Sequence, residues 1–311
     1  MMSDFEKEIR RRIGTPLSFG DSRRRIAASF SGGRSSALMA YILYLLYGKT
    51  HEIKACFTNT GFETEETLKF VDDCDLHIFG GELVWLEAVI HGPGKGPTAK
   101  VVTYETASRN GEPYEAAVAK HGIFCRTHPQ CNSRLKTEPM QWWRKSEGWD
   151  VGTYDTAIGI RADEIDRCSS KAKENRFIYP LVEHGMRKED VNRWCGQFDW
   201  DLKNAGDHMG NCVGCFKKST RKLMTIAKHE PERFDRWIEL EEKYGHIDNG
   251  TVQSGERRVF YRGRMSAAEL VQKAQTEEFR EYTDKPIQPE LFDDLDVGGG
   301  CGDSCEVGAD E

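Results

Sequence analysis

Two groups of residues have the types and spacing to do chemistry: Ser31-Gly32-Gly33-Arg34-Ser35-Ser36, and the cysteine pairs Cys125/Cys131 and Cys212/Cys215. The first group sits inside IAASFSGGRSSALMAYILYLLY (26–47), between a short apolar run and a helical one. A Ser-Gly-Gly turn entering a helix can hold a phosphate with backbone. Gly32 and Gly33 can take angles closed to other residues and put no side chain in the way. The helix aims its unpaired N–H groups and positive dipole end at the same spot. Ser31, Ser35 and Ser36 add hydroxyl donors, and Arg34 adds a fixed charge. Ser/Gly turns before helices are common and most bind nothing, so the loop needs support from the rest of the chain.

Cys212-Val213-Gly214-Cys215 is a tight pair whose spacing lets two thiolates converge on one metal or cluster. Upstream, Cys125 and Cys131 flank FCRTHPQC at the mouth of a predicted helix. Four cysteines in two pairs suit a [4Fe–4S] cluster or a structural zinc, the alternatives being unligated thiols or a redox pair. Cys56, Cys74, Cys168 and Cys195 lie singly and read as ordinary thiols. Cys301 and Cys305 lie in VGGGCGDSCEV, a Gly-rich tether able to swing a thiol into a cleft. Acidic neighbours raise a thiol pKa, which weakens these two as nucleophiles unless docking changes their surroundings.

The elements around these residues read as alternating strands and helices. Strands are predicted at 26–30, Glu52–Asn59, Glu82–Ile90, Val101–Thr106, Thr153–Ile160 and the FIYPL run, with HGPGKGPT (91–98) as a surface loop without Walker spacing. Helices are predicted at Thr64–Asp73, 112–121, 132–147 and Lys188–Gln197. This order predicts an α/β fold with a mostly parallel sheet and helices on both faces. Ligands of such sheets sit at the strands' C-terminal ends, where the SGG turn, Asn59-Thr60-Gly61 and Gly159–Arg161 would meet. From about 216 the pattern turns helical, over Lys222–Tyr244 (split at Pro231) and Ser266–Glu278. The expected organisation is a basic N-terminal segment 1–25, a nucleotide-binding domain 26–215, a helical extension 216–284, and a disordered acidic tail 285–311.

The chain has 311 residues, 38% hydrophobic and 31% charged, which is the balance of a soluble globular protein. A net charge of −7 argues against a broad nucleic-acid-gripping surface, although Lys7, Arg10–Arg12 and Arg23–Arg25 form a local basic run. No run is long enough to span a bilayer, and MMSDFEKEIRRR lacks the apolar stretch of a secretory signal, so a cytoplasmic protein is expected. Ten cysteines in that compartment suggest metal or redox chemistry rather than structural disulfides.

In this order the motifs resemble the phosphoadenosine phosphosulfate (PAPS) reductase family of the adenine nucleotide alpha-hydrolase (PP-loop) superfamily. More narrowly, they resemble the reductase-like proteins common in phages and prophages, with DndC-type DNA sulfur-modification proteins as cousins. The matching stretches are SFSGGRSSA (29–37), FTNTGFETEETLKFV (57–71), ASRNGEPYE (107–115), CNSRLKTEPM (131–140), GIRADEIDR (159–167), YPLVEHG (179–185) and GNCVGCFKKS (210–219). The resemblance implies a Rossmann-like fold in which Ser31, Gly32, Gly33, Ser35 and Ser36 surround the phosphates of an adenine nucleotide, either ATP or PAPS. Asn59 and Thr60 would lie near the nucleoside, and Lys136 and Arg161 near the phosphate or sulfate end as an electrostatic clamp. Cys131, Cys212 and Cys215, with Cys125 as fourth ligand, fall on positions expected to hold the iron–sulfur cluster.

Two departures matter. Arg34-Ser35 replaces the charged pair usual in ATP-cleaving members, so acidic help with magnesium would come from elsewhere, with Glu63 as the candidate. The Glu-Cys-Gly-Leu-His ending of the reductases is absent, leaving Cys301 and Cys305 as the catalytic thiols on offer. The favoured expectation is an ATP pyrophosphatase-type sulfurtransferase that adenylates an acceptor and then inserts sulfur. The alternatives are a PAPS or adenosine phosphosulfate reductase acting through a tail thiol, and a catalytically silent nucleotide-binding component. Expected partners are an adenine nucleotide and a sulfur donor or thioredoxin-like reductant. A nucleic acid is one candidate acceptor, a homodimer is a candidate assembly, and no membrane partner is expected.

Overall fold

The computed structural model describes residues 7–9, 11, 25–203, 206–247 and 257–283. Most of the basic N-terminal segment, the acidic tail, and Cys301 and Cys305 lie outside the described residues.

Six strands form one sheet: β1 (Arg25–Ser29), β2 (Glu52–Asn59), β3 (Val84–Val89), β4 (Thr98–Val102), β5 (Asp155–Ala157) and β6 (Phe177–Ile178), in the spatial order β4-β3-β2-β1-β5-β6. Every neighbouring pair is parallel except β3 with β4. This is a Rossmann-like α/β fold, as the alternation predicts. Successive side chains of a strand point to opposite faces, and the central strands are apolar on both. Ile26, Ala28, Ala55 and Phe57 join the cluster of helices α1 (Arg34–Tyr47), α2 (Glu65–Cys74) and α6 (Lys188–Cys195). On the opposite face Cys56 and Leu86 pack against Met140 and Trp143 of α4 (Glu138–Ser146), and Ala27 packs against Trp149.

Three strands differ most from expectation, and the sixth keeps only Phe177–Ile178 of the FIYPL run because Pro180 opens a short helix, Pro180–Glu183. The fourth runs Thr98–Val102 rather than Val101–Thr106, because antiparallel pairing places Thr98 opposite Val89 and Val102 opposite Trp85. Beyond it, the Thr103 N–H turns to the Thr106 hydroxyl at 2.8 Å and ends the ladder. The fifth is three residues long, since its neighbour β6 offers pairing for Thr156 and Ala157. The helix expected over 132–147 begins as a wide π turn, Ser133–Thr137, before α4. Pro139 has no N–H with which to continue α-type bonding backward.

The C-terminal helices are α7 (Thr220–His229), α8 (Asp235–Tyr244) and α9 (Ala267–Thr276), with Pro231 opening the 3₁₀ turn between the first two. Their apolar faces share a cluster with Tyr114, Ala117 and Val118 of α3 (Glu112–His121), and with Leu135, Cys212 and Cys215. The helical extension therefore packs directly over the cysteine turn. Among the described residues no helix is long and apolar enough to cross a membrane.

Candidate functional site

The loop after β1 is held by its own polar groups. Gly32 has φ +80°, and a Cβ there would lie 2.9 Å from Val71 and 3.1 Å from Phe57, so both conformation and space demand glycine. Gly33 differs from expectation: it caps α1 at φ −105°, an extended angle open to other residues. The Ser36 hydroxyl donates to the Gly33 carbonyl (2.9 Å), accepts the Ser31 N–H (3.2 Å) and lies 2.9 Å from the Ser31 hydroxyl. No side chain caps the α1 N-terminus. Ser35 and Ser36 are buried, as a loop folded against its own helix requires.

The two arginines have different roles. Arg161, at the loop following β5, donates to the Ser35 hydroxyl at 3.0 Å and pairs with Asp163 and Glu164 at 3.3 Å. The structure thus brings this predicted clamp residue to the predicted phosphate loop. Arg34 instead grips the Asp201 carboxylate with two 2.8 Å bonds and the Leu202 carbonyl with a third. Its charge fastens the 198–202 segment to the start of α1.

At the end of β2, Asn59 donates to Glu87 (2.7 Å) and to the Ser108 carbonyl (2.8 Å), and accepts the Gly61 N–H (3.0 Å). Glu87 is fully buried on β3 and also binds the Ser108 N–H, the Ser108 hydroxyl and Lys100. It organises this corner. Its sequence signal was an acidic residue within the apolar run ELVWLEAVI. Glu63 is turned into the loop, accepting the Thr60 N–H at 2.9 Å and the Thr60 hydroxyl at 3.0 Å. The same Thr60 hydroxyl lies 3.2 Å from Cys212 Sγ, and Glu63 lies 3.9 Å from that sulfur. Thr60 therefore joins the strand end expected to meet a nucleoside to the cysteine turn.

Cys131, Cys212 and Cys215 line one cavity, together with Thr60, Tyr114, Asn132, Lys136 and Trp237. Lys136, expected beside the phosphate, belongs to this thiol-lined wall, whereas Arg161 reaches the loop. Cys125 is not among the lining residues; its sulfur sits 3.3 Å from the Thr127 hydroxyl in the turn that pairs Cys125 with His128. The CxxC turn packs so tightly on α8 that a Cβ at Gly214 would lie 2.5 Å from the Trp237 ring. Tyr261 braces the turn from behind, donating to the Gly214 carbonyl at 3.1 Å. Burial first, and then the neighbouring thiols of Cys131, Cys212 and Cys215, push the Tyr114 phenol well above its ordinary pKa, so it keeps its proton.

Soft thiolates select zinc or iron–sulfur centres, so the donor set fits either by type. Among the described residues no three His, Cys, Asp or Glu side chains are drawn together as a formed metal site. The cavity measures about 20 Å³, close to one water. Ligation of a cluster would need the thiols to turn inward and the walls to open.

No family profile matches the chain. Its sequence is 29% identical over 286 residues to an uncharacterized nin region protein of Escherichia phage lambda, covering 90% of this chain and 93% of that one. It is 22% identical over 248 residues to an uncharacterized protein of Methanocaldococcus jannaschii, covering 75% of this chain and 45% of that one. Among solved structures it is similar to the phosphate complex of phosphoadenylyl-sulfate (PAPS) reductase from Candida auris, with 14% identity, TM-score 0.32, and 62% of this chain and 78% of that chain covered. It is also similar to a U34-tRNA thiolase from Methanococcus maripaludis with its [4Fe–4S] cluster, with 15% identity, TM-score 0.39, and 81% and 82% covered. The relative that matches over most of both chains is a phage protein, in keeping with the phage branch of the motif resemblance.

Proposed function

We propose that this chain is a PP-loop enzyme that uses an adenine nucleotide to drive sulfur transfer. The observation that carries the reading is Thr60: its hydroxyl stands 3.2 Å from Cys212 Sγ at the end of the strand beside the phosphate loop. Nucleotide activation and sulfur handling then share one corner of the fold. Ser31–Ser36 and Arg161 hold the phosphates, with the guanidinium offsetting charge as a leaving group departs. An acceptor atom attacks the α-phosphorus of ATP and pyrophosphate leaves. Sulfur then displaces AMP from the adenylated acceptor. Cys131, Cys212 and Cys215 hold the sulfur, and Lys136 contributes positive charge beside the thiolates. A [4Fe–4S] cluster on these three cysteines would supply a place to carry that sulfur.

The test is anaerobic purification with assays for iron, sulfide and zinc, followed by incubation with ATP and with PAPS. Pyrophosphate release from ATP in the presence of acceptor is the expected result. Sulfite from PAPS without pyrophosphate from ATP would overturn it in favour of a reductase using Cys301 or Cys305. Nucleotide binding with neither product would mark a silent component.

A further inference from the structure

Both arginines at the Ser31–Ser36 loop are held by carboxylates, but not to the same degree. Arg161 is tied on three sides, to Ser35, Asp163 and Glu164, and its side chain is 11% exposed. The bonds of Arg34 to Asp201 and Leu202 go to one short segment, and they are more open: its side chain is 33% exposed and that of Asp201 21%. An ion pair that solvent reaches adds little net stability. The Arg34 pair is therefore the one that a competing anion can exchange.

The segment carrying Asp201 has an anchorage of its own. Phe198 stacks on Trp200 with ring centres 4.5 Å apart and meets the edge of Trp194 at 5.1 Å. Trp200 lies flat on His77 at 5.0 Å, and Leu202 packs against the core. None of these contacts passes through Arg34, so opening the ion pair leaves the segment seated. Asp201 also borders an open groove of about 500 Å³, with Lys69 and Lys203 on its walls. A carboxylate released from Arg34 there meets water and cations, not an apolar interior.

Arg34 is the first residue of α1, whose opening turn Arg34-Ser35-Ser36-Ala37 holds no acidic residue. A guanidinium grips a carboxylate and a phosphate with the same two-pronged geometry. The N-terminal end of a helix attracts either anion, and the phosphate brings more charge. Asp201 thus offers Arg34 the chemistry of the group that the neighbouring loop is read as holding.

We propose that Asp201 is an internal competitor for phosphate: its carboxylate occupies Arg34, and a nucleotide phosphate seated on the Ser31–Ser36 loop displaces it. The proposal rests on the reading of that loop as a phosphate loop. The contact is autoinhibitory, because binding exchanges one anion for another on a single guanidinium and gives up an ion pair to gain one.

The experiment is a double-mutant cycle. Wild type, Asp201→Asn, Arg34→Gln and the double variant are titrated by calorimetry with inorganic pyrophosphate and with ATP. One ionic strength is kept throughout, since salt screens an open pair. Circular dichroism and Tm establish that each protein is folded, and Asp201→Ser repeats the cycle should Asp201→Asn not fold. Removing the competitor should tighten binding about fivefold, the upper end for an ion pair open to solvent. The gain should vanish when residue 34 is glutamine. Equal or lower affinity in Asp201→Asn overturns the exchange, makes the pair a structural clasp and leaves the phosphate loop standing. A gain that persists alongside Arg34→Gln also overturns it, since the carboxylate then acts only through its general field. If none of the proteins binds either probe, the reading of the loop fails and the exchange fails with it.

Discussion

The Ser31–Ser36 loop and the cysteine cavity lie off neighbouring strands, and they are built in opposite ways. The loop is closed upon itself: Ser36 is bonded to Ser31 and Gly33, Arg161 reaches Ser35, and Arg34 is fixed to Asp201. Its geometry exists before any ligand arrives, which lowers the ordering cost of binding. The cavity is instead a small, mostly apolar space walled by Cys131, Cys212 and Cys215 with Tyr114, Leu135, Phe216 and Trp237. One side is held by polar contacts, the other by apolar packing.

The contrast can be broken from the cavity side first. Cys212→Ser with Cys215→Ser should abolish sulfur transfer and iron or zinc retention while nucleotide binding survives, measured by metal assay and ATP titration. Loss of nucleotide affinity as well would show that the two sides are one mechanical unit.

The next effect concerns the strap behind the cysteine turn. Glu241 of α8 is buried and accepts the N–H groups of Phe260 (2.7 Å) and Ala267 (2.8 Å), holding the segment that places Tyr261 on Gly214. Burial pushes its carboxyl from 4.5 up to about 7; Glu269 adds to the rise, while the two N–H groups and Arg257 oppose it. Between those values the folded chain keeps a proton that the unfolded chain has released. Stability therefore falls as pH rises through that window and levels above it. Relative to Glu241→Gln, which does not titrate, the wild type should lose about 3 kcal/mol across it, read from urea unfolding at a series of pH values.

Gly214→Ala tests how closely the CxxC turn depends on Trp237. The added methyl meets the indole at 2.5 Å and should cost about 2 kcal/mol, with a lower Tm and altered metal content but unchanged nucleotide affinity. The smallest effect is expected at the loop. Arg161→Gln removes one charge-assisted contact and should weaken nucleotide binding about tenfold, near 1.4 kcal/mol, without moving the metal content.

Much of this site was legible in the residues. The SGG turn and the cysteine pairs were visible from residue type and short spacing, whereas Thr60 and Arg161 were marked by the motif resemblance. Gly33 misled, since a pair of glycines does not say which one needs a positive φ; Gly32 alone does so in this loop. The pairing of Arg34 with Asp201 could not be read from the sequence, because the two lie far apart along the chain. Glu87 left a faint trace as a charge in an apolar strand. Tyr114, Asn132 and Trp237 left none, because an aromatic or amide on an amphipathic helix does not record which wall it will join.

The sequence by itself determined the alternating α/β order, the need for glycine in the first turn and the soft-donor character of the cysteines. These follow from local propensity, glycine stereochemistry and the identity of sulfur, none of which needs a partner from afar. Tertiary structure decided which cysteines share a cavity, that Arg34 leaves the loop for Asp201, and that Thr60 bridges the loop side to Cys212. Such juxtapositions depend on how the helices after 216 pack over the end of the sheet, a long-range arrangement that no spacing along the chain records.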